Sequence, residues 1–450
     1  MNQQNRYYSF FINKLGVNQE ILWSGYNQLW AILKGPISIF FIIKYLLPNQ
    51  QGLWFTFINL GALKIFAELG FTMIITQFVS HEFANINDFD KKLGTNDSGL
   101  SKLVSLIRFS LKFYLKIVPI AILIMIVVGY FYFRNESKDV FFAWIFSSIV
   151  GGSSLLISVF QGIYKGIGKV KEVQKNLFLG SIAMGVGNWV LLIFKFNIWA
   201  LVFGNLAGIL IMGINLYARD TKFWSTVLNY NLTKKYNWFS EIIGLQWRYA
   251  ISWASGYFIF NLIVPVLYKF ESAEVAGKYG LSMRVISAFI GISQAWITTK
   301  IPQFNFLVAQ DKFRELNSFF KKSLIQSFMI QILFSLFIVL GLYVLSFWSE
   351  IGYRFLSLKY IVVLLLIQIP MQIVNCFAIY LRAFKKEPFV IYSLVNAFSM
   401  LIASFLILPE FGFNGMLIFL LLVYWLGLLP YATFIFTSKK AEFVNLNIRG

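Results

Sequence analysis

The chain has 450 residues, of which 58% are hydrophobic, 19% aromatic and only 13% charged, and its mean hydropathy is +0.69. Soluble domains hold about 45–50% apolar residues, so this excess cannot be hidden in one core and must face lipid, which excludes an ordinary water-soluble globule. One His (His81) and one Cys (Cys376) exclude an internal disulfide and a Cys/His zinc site, and the net charge of +20 reads in a membrane chain as a cationic cytoplasmic face, with no nucleic acid implied.

From the N-terminus, Met1 to Glu20 lacks the apolar core and small-residue cleavage site of a secretory signal, so the first span is expected to be an uncleaved signal anchor. A helix needs about 20 apolar residues to cross a bilayer. Twelve runs fit, near 22–47, 52–79, 105–133, 139–163, 173–194, 197–217, 244–268, 276–300, 324–347, 360–384, 389–409 and 413–436. The pattern predicts an all-α polytopic membrane protein of about 12 transmembrane helices.

With the N-terminus inside, the inner segments hold 24 Lys/Arg and the outer loops seven. Both termini are therefore expected in the cytoplasm. The outer loops are too short to house a catalytic domain. The longer inner segment 218–243 mixes Trp and Phe with Lys and Arg, as a linker lying at the lipid interface would. It divides the chain into an N-terminal six-helix lobe, 1–217, and a C-terminal six-helix lobe, 244–450.

The halves echo each other. Gly162-Ile163-Tyr164 followed by Lys171-Glu172 returns as Ala378-Ile379-Tyr380 followed by Lys386-Glu387. Six crossings bring the chain back to its starting side, so the lobes are expected to be parallel repeats with a cavity between them. Two spans carry polar faces at helical spacing: Ser147, Gly151, Ser154, Ser158, Gln161 and Lys165 on the fourth, and Gly280, Arg284, Ser287, Gly291, Gln294 and Thr298 on the eighth. The tenth offers Gln368, Gln372 and Asn375. Gly204-x-x-x-Gly208 in the sixth reads as close helix packing.

An ionised side chain at bilayer depth costs at least about 2.5–3.5 kcal/mol and marks a pathway or a partner. Lys34, Lys64 and Arg284 are the deep cations, and Glu68, one turn after Lys64, is the one deep carboxylate. This balance predicts a substrate with an anionic group. Asn27, Gln161, Gln294 and Arg248 complete the candidate binding residues, although Arg248 lies near enough to a span end to snorkel. Arg108, Lys112 and Lys116 read as snorkelling too.

The runs Gln51-Gly52-Leu53-Trp54-Phe55-Thr56-Phe57, Phe66-Ala67-Glu68-Leu69-Gly70 and Gln77-Phe78-Val79-Ser80-His81-Glu82 resemble O-antigen/polysaccharide (Wzx-type) flippases. These belong to the multidrug/oligosaccharidyl-lipid/polysaccharide (MOP) exporter superfamily, whose segment after the eighth span is also similar to Ile301-Pro302-Gln303 through Phe320-Lys321-Lys322. The resemblance implies a MOP/MATE-like fold of six plus six helices in the bacterial cytoplasmic membrane. It implies translocation of an undecaprenyl-pyrophosphate-linked oligosaccharide by alternating access, with cations of the first, second and eighth spans lining the cavity. Polysaccharide polymerase and chain-length machinery are implied partners beside membrane lipids. No cofactor is expected, while a coupling ion, H+ or Na+, is. The alternatives are a MATE-like drug or cation antiporter, disfavoured by a single deep carboxylate, and a membrane polymerase or acyltransferase, disfavoured because no acid-base cluster is visible.

Overall fold

The computed structural model describes residues 19–84, 86, 98–232, 234, 236–347, 349–384 and 386–449; the side chains of 21, 217–219, 222, 243–245, 248, 249, 252, 349, 350 and 444–449 lie outside the description. The described residues form helices and no strand. Among the described residues nine helices are long and apolar enough to cross a membrane, and a bent pair taken as one span makes a tenth, so the chain is a multi-pass membrane protein.

The helices group into two compact units, 1–46 with 60–253 and 47–59 with 254–450. The first holds α1 (Gln19–Tyr45), then the end of α2 (Pro48–Gly61), a 3-10 turn (Ala62–Lys64), α3 (Ile65–Glu68) and α4 (Phe71–Ala84). It continues through α5 (Ser98–Phe133), α6 (Lys138–Gly166), α7 (Val170–Ile193), α8 (Ile198–Arg219), α9 (Thr221–Asn229) and most of α10 (Trp238–Phe260). The second span, expected as one helix over 52–79, is broken: α3 ends in left-handed Leu69 (φ 45°) and Gly70 (φ 78°), and the axis bends by 43°. Glycine tolerates that backbone without strain. The Trp253 indole packs where a Gly70 Cβ would stand.

α7 and α8 pack through glycines. A Cβ on Gly208 would meet the Gly180 carbonyl, and one on Gly204 would collide with the Asn188 side chain, so Gly204-x-x-x-Gly208 brings two backbones together. The core joins Ile74, Leu103, Ile107, Tyr114, Val159 and Ile163. The 218–243 segment contributes to this core: Trp224, Val227 and Trp238 are buried in it. The reason lies in hydrogen bonding. Trp238 Nε1 donates to Ser105 Oγ (3.2 Å), Trp224 Nε1 to the Tyr164 hydroxyl (3.2 Å), and Lys169 pairs with Asp220. Arg108 donates to the carbonyls of Val227 (2.7 Å), Leu228 (2.9 Å) and Tyr230 (2.6 Å), which closes the C-terminus of α9.

The second unit holds the start of α2, the end of α10, α11 (Ile263–Phe270), α12 (Ala273–Thr298), α13 (Ile301–Ala309), α14 (Phe313–Leu345), α15 (Ser349–Gly352), α16 (Leu358–Arg382), α17 (Val390–Ile402), α18 (Leu408–Leu422) and α19 (Leu429–Arg449). The start of α2 is fastened by Gln51, whose Nε2 donates to the carbonyls of Gly277 (2.9 Å) and Arg354 (3.2 Å). The eleventh and twelfth apolar runs lie in one helical stretch interrupted at Gly412 (φ 63°). There the Glu271 carboxylate accepts from Phe413 N at 2.7 Å. The repeated tyrosines, Tyr164 and Tyr380, are both buried; Tyr380 donates to Asn317 Oδ1 (2.8 Å).

Candidate functional site

In the first unit, polar residues of α1 at positions 27, 30, 34 and 38 share one helical face, and all four meet α7. Asn27 Nδ2 donates to the Gln174 carbonyl (2.8 Å) and to its Oε1 (2.9 Å), Trp30 Nε1 to Ser181 Oγ (3.1 Å), and Trp189 Nε1 to Ser38 Oγ (3.0 Å). Lys34 joins this ladder with Nζ 3.5 Å from Ser181 Oγ and 3.6 Å from Met184 Sδ. Its stem passes over Gly185, where a Cβ would touch Lys34 Cε at 3.4 Å.

A second polar group gathers at the break between α3 and α4. Lys64 Nζ donates to Ser154 Oγ at 2.7 Å, while the Glu68 carboxylate lies against the Tyr114 hydroxyl. Tyr114 shares a 2.6 Å hydrogen bond with Thr72, whose Oγ1 lies 3.4 Å from Ser158 Oγ. The carbonyls of Glu68 and Leu69, which the left-handed turn frees from the helix, accept from Gln246 Nε2 at 3.3 and 3.0 Å. The polar face of the fourth span thus supplies Ser154 and Ser158 to the broken helix. Gln161, farther along it, turns to Met212 Sδ at 3.7 Å.

In the second unit, Arg284 faces a cavity of about 250 Å³ whose polar lining includes Asn59, Asn261, Ser287, Gln368 and Tyr424. No Asp or Glu lines it, and Arg284 makes no hydrogen bond or ion pair among the described residues. A guanidinium facing a cavity whose walls are mostly apolar, with a few neutral polar groups, suits a phosphoryl or carboxylate oxygen. Gln294 is exposed and stands outside the lining. Gln372, expected on the same face as Gln368, is instead buried and donates to Ser327 Oγ at 2.6 Å. The Arg248 side chain lies outside the described residues.

The sequence reading missed Tyr114, Thr72, Asn59 and Asn261. Tyr114 carried only a weak signal, being one of several hydroxyls on a helix that also holds Ser105, Ser110, Tyr130 and Tyr132. Asn59 and Asn261 carried none, since single amides near helix breaks are common.

No family model matches the chain, and no curated protein matches it. Solved structures do match. An inward-facing multidrug resistance MATE family transporter of the MOP superfamily has a TM-score of 0.63 at 15% identity, covering 93% of this chain and 95% of its own. A MATE structure in complex with MaD3S has a TM-score of 0.50 at 12% identity, covering 96% and 94%. At these identities the likeness is one of fold, and it extends over nearly the whole chain.

Proposed function

We propose that this chain is a flippase that carries an undecaprenyl-pyrophosphate-linked oligosaccharide, an O-antigen or capsule repeat unit, across the bacterial cytoplasmic membrane by alternating access. The observation that carries the reading is Arg284: a guanidinium without a protein partner among the described residues, facing a largely apolar cavity that carries a few neutral polar groups and no carboxylate. A buried charge is tolerated where a ligand compensates it, and a pyrophosphate does so. The MATE-like fold supports a transporter over an enzyme. Twelve crossings with both termini inside belong to the same proposal, the stretch around Gly412 counting as two spans and α10 with α11 as another. So do the lobes 1–217 and 244–450, the contribution of Lys34, Lys64, Asn27, Gln161, Gln294 and Arg248 to substrate binding, and the polymerase and chain-length partners.

A second reading, a drug or cation antiporter, is favoured by one observation: the Glu68 carboxylate beside Tyr114 and Thr72 could hold a proton or Na+. That group serves the flippase equally as its coupling site.

The test is complementation of a strain lacking its lipid-linked oligosaccharide flippase, with the cognate oligosaccharide pathway supplied. Surface polysaccharide should return with the wild-type chain and be lost with Arg284→Ala at matched membrane levels. Failure of rescue together with a gain in drug resistance would transfer the assignment to the antiporter.

A further inference from the structure

The first unit contains an apolar groove of about 370 Å³ that the translocation reading leaves unused. Leu111 of α5, Ile157 and Phe160 of α6, Gly213 of α8, and Trp224 and Leu228 of α9 line it. Three of its walls come from membrane-length helices and its roof is α9, so it is an apolar groove at the end of the unit where α9 docks.

Charge lies beside it on one helix. Arg108, Lys112 and Lys116 recur every fourth residue of α5 and so form one stripe, about 12 Å long at 1.5 Å per residue. Arg108 sits at the groove rim, since its Nη2 donates to the carbonyl of Leu228, a lining residue. Lys112 and Lys116 are exposed and make no hydrogen bond or ion pair among the described residues. The stripe has no neutralising group of its own: α5, α8 and α9 hold no Asp or Glu.

We propose that this is a site for an anionic phospholipid, with one acyl chain lying in the groove under α9 and the phosphate against the Arg108–Lys112–Lys116 stripe. Hydrocarbon fits walls made of Leu, Ile, Phe and Trp side chains, and an anionic headgroup offsets the charge of the stripe, above all the exposed Lys112 and Lys116, while Arg108 is already held by three carbonyls. A resident phospholipid suits the site better than a transported chain. The groove lies wholly within one unit, and its roof is fixed by the three carbonyl bonds of Arg108 and by the Lys169–Asp220 pair.

The experiment is native mass spectrometry of the full-length chain in detergent with added phosphatidylglycerol, phosphatidylcholine or undecaprenyl phosphate. The wild type should retain one phosphatidylglycerol under activation that strips phosphatidylcholine. The pair Lys112→Ala and Lys116→Ala, both at exposed positions, should lower that retention at least tenfold. Gly213→Phe should do the same by filling the groove, because a Cβ there meets only Ile157 Cδ1 at an ordinary 3.5 Å. Equal retention of both phospholipids by the wild type, or unchanged retention by the lysine variant, would overturn the site even if Gly213→Phe fails to fold. Undecaprenyl phosphate that displaces phosphatidylglycerol from the wild type would overturn the choice of occupant.

Discussion

Lys64 and Glu68 stand one turn apart at the broken second span, yet they do not pair. The ammonium donates to Ser154 at 2.7 Å, and the carboxylate lies against Tyr114. The ammonium is held by a neutral hydroxyl of α6 and makes no ion pair with the carboxylate, so neither neutralises the other by direct contact. Both keep an electrostatic capacity that a closed ion pair would have spent.

That separation predicts opposite effects of two substitutions. Ser154→Ala removes the acceptor and leaves a half-buried ammonium unpaired, which should cost about 1–3 kcal/mol and lower the unfolding temperature in detergent. Lys64→Met removes the charge itself, so stability should hold or rise while complementation falls. A loss of stability in Lys64→Met as large as in Ser154→Ala would show the lysine to be structural.

Arg284 should behave as a ligand contact, since it bonds to no protein group among the described residues. Arg284→Ala and Arg284→Glu should leave the melting temperature unchanged and reduce surface polysaccharide at least tenfold. Arg284→Lys should recover part of the activity, because an ammonium keeps the charge and loses the planar donor fork.

Arg108 is the contrasting cation, with structural bonds. Arg108→Ala opens three carbonyls at the end of α9 and should destabilise the first unit by about 2 kcal/mol, a charged hydrogen bond contributing about 1.5–3 kcal/mol. Limited proteolysis between Tyr230 and Trp238 should quicken in parallel. Arg108→Lys should restore little, since one ammonium cannot reach all three acceptors.

Glycines in α2 and α12 should separate sharply. A Cβ on Gly52 would run into the Ala273 carbonyl. Overpacking costs about 1–3 kcal/mol where neighbours can give, and here the neighbour is backbone, so Gly52→Ala should prevent stable folding of the second unit. Gly291 in α12 has nothing within 4 Å of its Cβ position. Gly291→Ala should therefore raise stability by about 0.5–1 kcal/mol through helix propensity alone. Expression and melting temperature of the two variants check both statements.

Hydrophobic periodicity made the all-helical membrane fold legible, because the length and polarity of each run report its environment directly. Single backbone events were not. The break at Leu69 and Gly70 lies within an apolar run, and what fixes it, the Trp253 indole and the Gln246 amide, arrives from more than 170 positions away in sequence. Among the candidate residues, Arg284 was legible because charge at depth stands out in any context. The role of Arg108 was not, since sequence spacing equates a snorkelling arginine with one that caps a helix 120 residues downstream. The aromatic segment 218–243 misled for a related reason: amphipathic residues suit a lipid interface or a half-polar core, and only tertiary hydrogen bonds choose between them.

The chain passes between its two units three times: at 46–47 it does so in the short joint between α1 and α2, whereas at 59–60 and at 253–254 it does so inside a helix, α2 and α10 respectively. Neither of these two helical passages is a slack loop. A protease would have to unwind a helical turn to cut at either of them. A nick between Tyr230 and Trp238 severs neither helix, so it leaves both of these connections covalently whole.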